Sequence, residues 1–119
     1  MRDILNSFIE TYNRKGHFHY LMEERTIIIC LNTDKGEFPF TLNNIKATAL
    51  DEYGQVDQLE IVNIAGDYKK VADLLTGKTK LRESISNQYL TISSTLRTTL
   101  ALESIFFLAN KENPSFLVG

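Results

Sequence analysis

His17 and His19 stand two residues apart, and on an extended chain that spacing turns both rings to one side, as a two-histidine metal grip requires. Only Glu23 and Glu24 offer further oxygen nearby, so the pair falls short of a closed ligand set and solvated histidines are the plainer reading. Gly77-Lys78-Thr79 copies the end of a phosphate-binding loop, but that loop needs a glycine five positions before its Gly-Lys pair, where this chain has Ala72. A helix end with a favourably placed lysine accounts for the segment. Glu23 and Glu24 beside Arg25, or Asp51 and Glu52, could be offered as acid–base pairs, yet such neighbours at turns are ordinarily solvated. Cys30 is the sole cysteine and lies among Ile27, Ile28, Ile29 and Leu31, which makes it a shielded thiol and not a nucleophile. There is no Gly-x-Ser-x-Gly elbow. No catalytic residue, metal ligand or cofactor is therefore expected.

The elements that would carry any site follow from composition and periodicity. With 119 residues, 43% of them hydrophobic and 24% charged, the chain is expected to form one globular domain over residues 1–119 with a core of its own. A formal charge of -2 provides no field to gather nucleic acid. A single cysteine closes no internal disulfide, no apolar run reaches the ~18–20 residues of a membrane span, and the N-terminus has no apolar leader core, so a cytoplasmic address is expected.

Ile4, Leu5, Phe8, Ile9 and Tyr12 share one face of a helix predicted over residues 2–15, with Gly16 as its stop. Residues 17–20 alternate as an extended segment, and the β-branched run from Thr26 to Leu31 reads as a strand. After an Asp34-Lys35-Gly36 turn, Phe38, Phe40 and Leu42 occupy alternate positions of a second strand, which Pro39 assigns to a sheet edge or to a strand start. Strands over 45–51 and 58–64, joined by turn residues 51–55, would complete a four-stranded antiparallel meander. Asp67 is the expected N-cap of a helix holding Val71, Leu74 and Leu75 and stopped by Gly77; a short helix over 80–86 buries Leu81 and Ile85. Residues 89–93 form a fifth strand with Leu90 and Ile92 on one face, and Ser94 or Thr95 caps a last helix. That helix carries Leu96, Leu100, Leu102, Ile105, Phe106, Phe107 and Leu108, more apolar surface than one helix-on-sheet contact uses. Something further must cover it, and the tail 110–119 with Pro114 reads as irregular. The fold class is α+β, a five-stranded, mainly antiparallel sheet covered by helices.

Asp67 opening a helix, Val71, Leu74 and Leu75 within it, Gly77-Lys78 ending it, then Ile85, the strand Leu90-Thr91-Ile92 and an apolar helix from Leu96 resemble the sterol carrier protein 2 family over residues 26–109. Gln88 and Ser94 stand where that family usually has glycines around the strand, and the chain ends Leu117-Val118-Gly119 instead of the Ser-Lys-Leu-type signal of its peroxisomal members. The resemblance implies a non-enzymatic carrier with an apolar tunnel between sheet and helices, holding a fatty acid, acyl-CoA or sterol-like lipid. Its lining would come from Phe38, Phe40, Ile61 and Leu90 of the sheet with Leu100, Ile105, Phe106 and Leu108 of the last helix. Burial of a lipid chain is favourable by ~0.8 kcal/mol per methylene, so such a cavity needs no catalytic group to hold its ligand. The alternatives are a ligand-free module of the same fold that packs on another protein or a second copy of itself, or an accessory domain for a separate enzyme.

Overall fold

A computed structural model describes residues 1–15, 19–23, 25–50 and 60–110. Chain order is α1 (Arg2–Lys15), a single 3-10 turn (His19–Met22), β1 (Thr26–Thr33), β2 (Gly36–Asn43), β3 (Ala47–Ala49), β4 (Glu60–Gly66), α2 (Tyr68–Leu75), α3 (Leu81–Ser86), β5 (Leu90–Ser93) and α4 (Leu96–Asn110). The five strands form one sheet in the order β3-β2-β1-β4-β5. Every neighbouring pair is antiparallel except β1 with β4, which run parallel.

That parallel pair corrects the expected meander. β4 does not hairpin onto β3; it lies across β2 and β1 from it, with Ile27 to Asn32 in register with Glu60 to Ala65. The apolar β1 explains the preference, because it is buried from Ile27 to Leu31 and so needs a partner on each side, as the central strand of a sheet does. The turn expected at 51–55 lies outside the described residues, and the extended reading of 17–20 is replaced at His19 by the 3-10 turn, with His17 outside the described residues. The third strand is shorter than expected, since Ile45 is exposed in the turn before Ala47.

Pro39 does not mark an edge either, because β2 lies between β1 and β3. Its carbonyl accepts from Leu50 N at 3.0 Å, and a strand residue directs its N and its C=O to the same side, so the missing N–H faces the end of the three-residue β3. Proline thus forfeits a bond only where the short partner strand has run out. The outer edge of β3 is closed by a side chain: Asn13 of α1 donates Nδ2 to Ala47 O (3.1 Å) and accepts from Ala47 N at Oδ1 (2.7 Å).

The helices share one face of the sheet. Leu5, Phe8 and Tyr12 of α1, Val71, Leu74 and Leu75 of α2, Leu81 of α3, and Leu102, Ile105, Phe106 and Ala109 of α4 meet the inward side chains of β1, β2, β4 and β5 in one cluster. Phe8 is at its centre, with its ring 5.2 Å from Phe106 and 5.9 Å from Phe40, the latter edge-on. Burial pushes the Tyr12 hydroxyl far above its ordinary pKa, so it stays protonated and donates to Asn43 O at 2.6 Å.

Local details differ from the sequence reading in two places. Asp67 takes the N-cap position of α2 without a side-chain cap bond, and the first free amide, Tyr68 N, is satisfied by Asp34 Oδ1 at 2.8 Å. Gln88 adopts φ 66, a left-handed conformation that suits glycine, whereas Ser94 has no positive φ and needs none. The Gln88→Gly variant should therefore gain about 1 kcal/mol of stability from relief of that conformation, offset in part by the added freedom of its unfolded chain. Chemical denaturation checks it. A loss of stability would show that the Gln88 side chain matters more than its backbone.

Cys30 is fully buried on the sheet face away from the helices, with Asn32 Oδ1 3.7 Å from its sulfur. Its reaction with a thiol reagent should be slow in native protein and fast in denaturant. Rapid native labelling would contradict the burial of β1.

Candidate functional site

Among the described residues a cleft forms where the chain enters the sheet. The 3-10 turn and the residues leading into β1 pass beside the first half of α4, and between them lies a cleft of about 510 Å³. Its apolar wall is Leu21 from the turn with Leu96, Leu100 and Ala101 from α4; Glu23, Arg25, Arg97 and Ser104 supply the polar part.

The start of α4 fixes this geometry. Thr95 caps the helix, its Oγ1 accepting from Thr98 N at 3.2 Å, which sets the rotation of the first two turns. Leu102, Ile105, Phe106 and Ala109 then face the core at helical spacing. Leu96 and Leu100 lie off that stripe and remain 69% and 39% exposed, which is why they border an open cleft. The excess of apolar residues on this helix is thus divided between core and cleft.

The cationic side is held by two ion pairs. Arg25 lies 3.6 Å from Glu60, and Thr98, itself fully buried, links the two by accepting from Arg25 Nη1 (3.1 Å) and donating to Glu60 Oε2 (2.9 Å). Arg25 Nε is buried with no hydrogen-bond partner among the described residues. Arg97 donates to both carboxylate oxygens of Glu23, and this hydrogen bond together with the guanidinium charge holds the Glu23 carboxyl below its ordinary pKa. Further along α4, Glu103 accepts from Arg82 Nε and from Arg82 N, each at 3.0 Å, and anchors α3 against the helix that walls the cleft.

Of the eight residues expected to line a lipid tunnel, Leu100 borders this cleft. Phe40, Leu90, Ile105 and Phe106 are buried members of the core cluster, and Phe38 and Leu108 pack against it. Ile61 is 43% exposed on the other face of the sheet, between the inward-facing positions that precede and follow it in the alternation of β4. Leu21, Arg25, Leu96, Arg97 and Ala101 were not anticipated as site residues. A second, smaller cleft of about 210 Å³ separates Ile4 and Ser7 of α1 from Leu75 and Asn110.

The Gly-Lys-Thr motif resolves as structure, while His17, Glu24, Asp51 and Glu52 lie outside the described residues. Gly77, at φ 79, ends α2, and an added Cβ there would come within 2.7 Å of Asn110, whose Nδ2 donates to Leu75 O at 2.8 Å. The Gly-Lys-Thr segment is therefore a helix end closed against α4. Among the described residues no three His, Cys, Asp or Glu side chains gather as a metal would require, and no helix is long and apolar enough to cross a membrane.

No protein-family model matches the chain, and no curated protein matches it by sequence. Solved structures do match it in three dimensions. A sterol carrier protein domain 2 of Helicoverpa armigera superimposes with a TM-score of 0.64 at 13% identity, covering 96% of this chain and 90% of that one. The apo form of sterol carrier protein 2 from Yarrowia lipolytica gives 0.62 at 12% identity, over 92% of this chain and 91% of that one. The fold is that of sterol carrier protein 2 domains. A palmitated sterol carrier protein 2-like structure from Aedes aegypti matches the same architecture with a TM-score of 0.57 at 9% identity, over 86% of this chain and 93% of that one. At such identities the sterol carrier likeness is one of fold, and the chemistry of the cleft has to be argued from the residues of this chain.

Proposed function

We propose that this chain binds a long-chain acyl molecule in the cleft between the 3-10 turn and α4, and performs no chemistry on it. The observation that carries the reading is the composition of the cleft: an apolar wall of Leu21, Leu96, Leu100 and Ala101 beside two arginines. An alkyl chain on that wall gains from leaving water, and the exposed guanidinium of Arg97 at its edge can meet an oxygen-bearing head group. A volume of about 510 Å³ falls in the range that holds a small molecule. The buried core residues Phe40, Leu90, Ile105 and Phe106, with Phe38 and Leu108 packed on them, would support the wall from behind. The palmitated Aedes aegypti structure lends the acyl class further support.

Among the described residues each ionisable group on the cleft wall is held in an ion pair, Glu23 with Arg97 and Arg25 with Glu60, an arrangement suited to holding charge and not to moving a proton. Titration with a fluorescent long-chain fatty acid should saturate at one molecule per chain with a Kd in the micromolar range or below. A sterol probe that binds where the fatty acid does not would reassign the ligand class, and no binding of either would overturn the carrier reading. A second reading, docking of α4 on another protein surface, is favoured by the exposure of Leu96, Leu100 and Phe107. The same titration separates the two, because a docking surface takes up no acyl probe.

A further inference from the structure

Among the described residues, Glu23 is the one acidic side chain on the wall of the cleft, and it meets the guanidinium of Arg97 as the carboxylate of a ligand would. Its backbone is at φ 56, a costly conformation for a glutamate, fixed by the turn that Arg25 N closes on Met22 O at 3.1 Å. Both partners remain largely exposed, with 53% of the Glu23 side chain and 68% of the Arg97 side chain accessible, so water and competing anions reach the pair. The pair also spans the cleft, joining the segment before β1 to the first turn of α4, which has no acidic residue of its own. Arg25, by contrast, has its Nη1 committed to Glu60 and Thr98, and its Nε is buried from solvent.

We propose that Glu23 is an internal competitor for the head-group position of the cleft, and that a long-chain acid enters by displacing it from Arg97. The inference rests on the reading of the cleft as an acyl-ligand site. Exchange of one carboxylate for another at the same guanidinium is nearly balanced, so the acid draws little net affinity from Arg97 while Glu23 is present. A neutral ester has no carboxylate to offer Arg97 and leaves Glu23 in place. The cleft therefore holds acids and neutral acyl chains with similar affinity, and the Glu23 carboxylate is what levels them.

The test compares hexadecanoic acid with methyl hexadecanoate, each displacing a neutral fluorescent acyl ester, on the wild type, Glu23→Gln, Glu23→Asn and Arg97→Gln. Asparagine tolerates the left-handed backbone, so agreement between the two Glu23 variants separates the carboxylate from the strain. Removal of the carboxylate should tighten the acid about two- to fivefold, the scale of an exposed ion pair, and leave the ester unchanged. In Arg97→Gln, which leaves the Glu23 carboxylate without its partner, the acid should bind more weakly than the ester, and an acid bound as tightly as the ester would contradict a shared head-group position. If both ligands bind but the acid is no tighter in either Glu23 variant, the displacement is overturned and the cleft stands. If neither ligand displaces the probe and the probe itself does not bind, the cleft reading fails and the displacement with it.

Discussion

Phe106→Ala is expected to cost about 3 to 5 kcal/mol of stability, a large part of what a small domain possesses. Phe106 is 2% exposed, its ring centre 5.2 Å from that of Phe8 at a tilt of 47°, and Phe8 in turn meets Phe40 of the sheet at 5.9 Å. Truncation therefore opens a cavity at the junction of α1, α4 and β2, where three elements must shift together to fill it. Its neighbour Ile105 is fully buried as well, so both residues belong to the packing of the core although they are adjacent on the helix. Denaturant titration measures the loss. Below its lowered midpoint the variant should still bind a fluorescent fatty acid, because Phe106 does not border the cleft. A variant of wild-type stability that had lost binding would place the ligand among the core residues instead.

Leu100→Gln should give the opposite pattern. Leu100 is 39% exposed, and glutamine is as good a helix former as leucine, so stability should change by no more than about 0.5 kcal/mol. Affinity should fall about three- to tenfold, because the ligand covers the 39% of Leu100 that is still exposed, a fraction of the roughly 1.5 to 3 kcal/mol that full burial of a leucine is worth, and an amide in its place would have to be desolvated against an alkyl chain. The two variants together separate the roles of α4, with stability lost at Phe106 and binding lost at Leu100. Unchanged affinity in Leu100→Gln would remove the wall of the proposed site.

The helices were legible because each carries its own periodicity. Leu102, Ile105, Phe106 and Ala109 repeat at helical spacing, and the surplus of Leu96, Leu100 and Phe107 beyond that stripe was visible in the sequence as surface in need of cover. The parallel pairing of β4 was not legible, because a strand pattern gives the faces of a strand and not its neighbour. In β4 the run Ile61-Val62 puts apolar residues on both faces, and a choice of Ile61 as inward inverts the strand, since a shift of one residue exchanges the faces. Val62 and Ile64 face the core, and Ile61 faces away. The polar half of the cleft left still less trace. Glu23 and Arg97 are 74 positions apart, and Arg25 meets Thr98 across 73, so no local spacing announces either contact. Glu23 beside Glu24 and Arg25 reads as a solvated charge run in the sequence, and only the fold brings Arg97 to Glu23 and Thr98 to Arg25.

The central claim is that an acyl ligand occupies the cleft between the 3-10 turn and α4, and amide chemical-shift mapping of isotope-labelled protein with hexadecanoic acid tests it most directly. Saturable shifts should be largest at Leu21, at Arg25 and along residues 96–104, with smaller effects on the core-facing residues behind them. Shifts centred instead on the cleft beside Ile4 and Ser7, or on the sheet face around Ile61, would contradict the assignment, as would a spectrum unchanged by excess ligand.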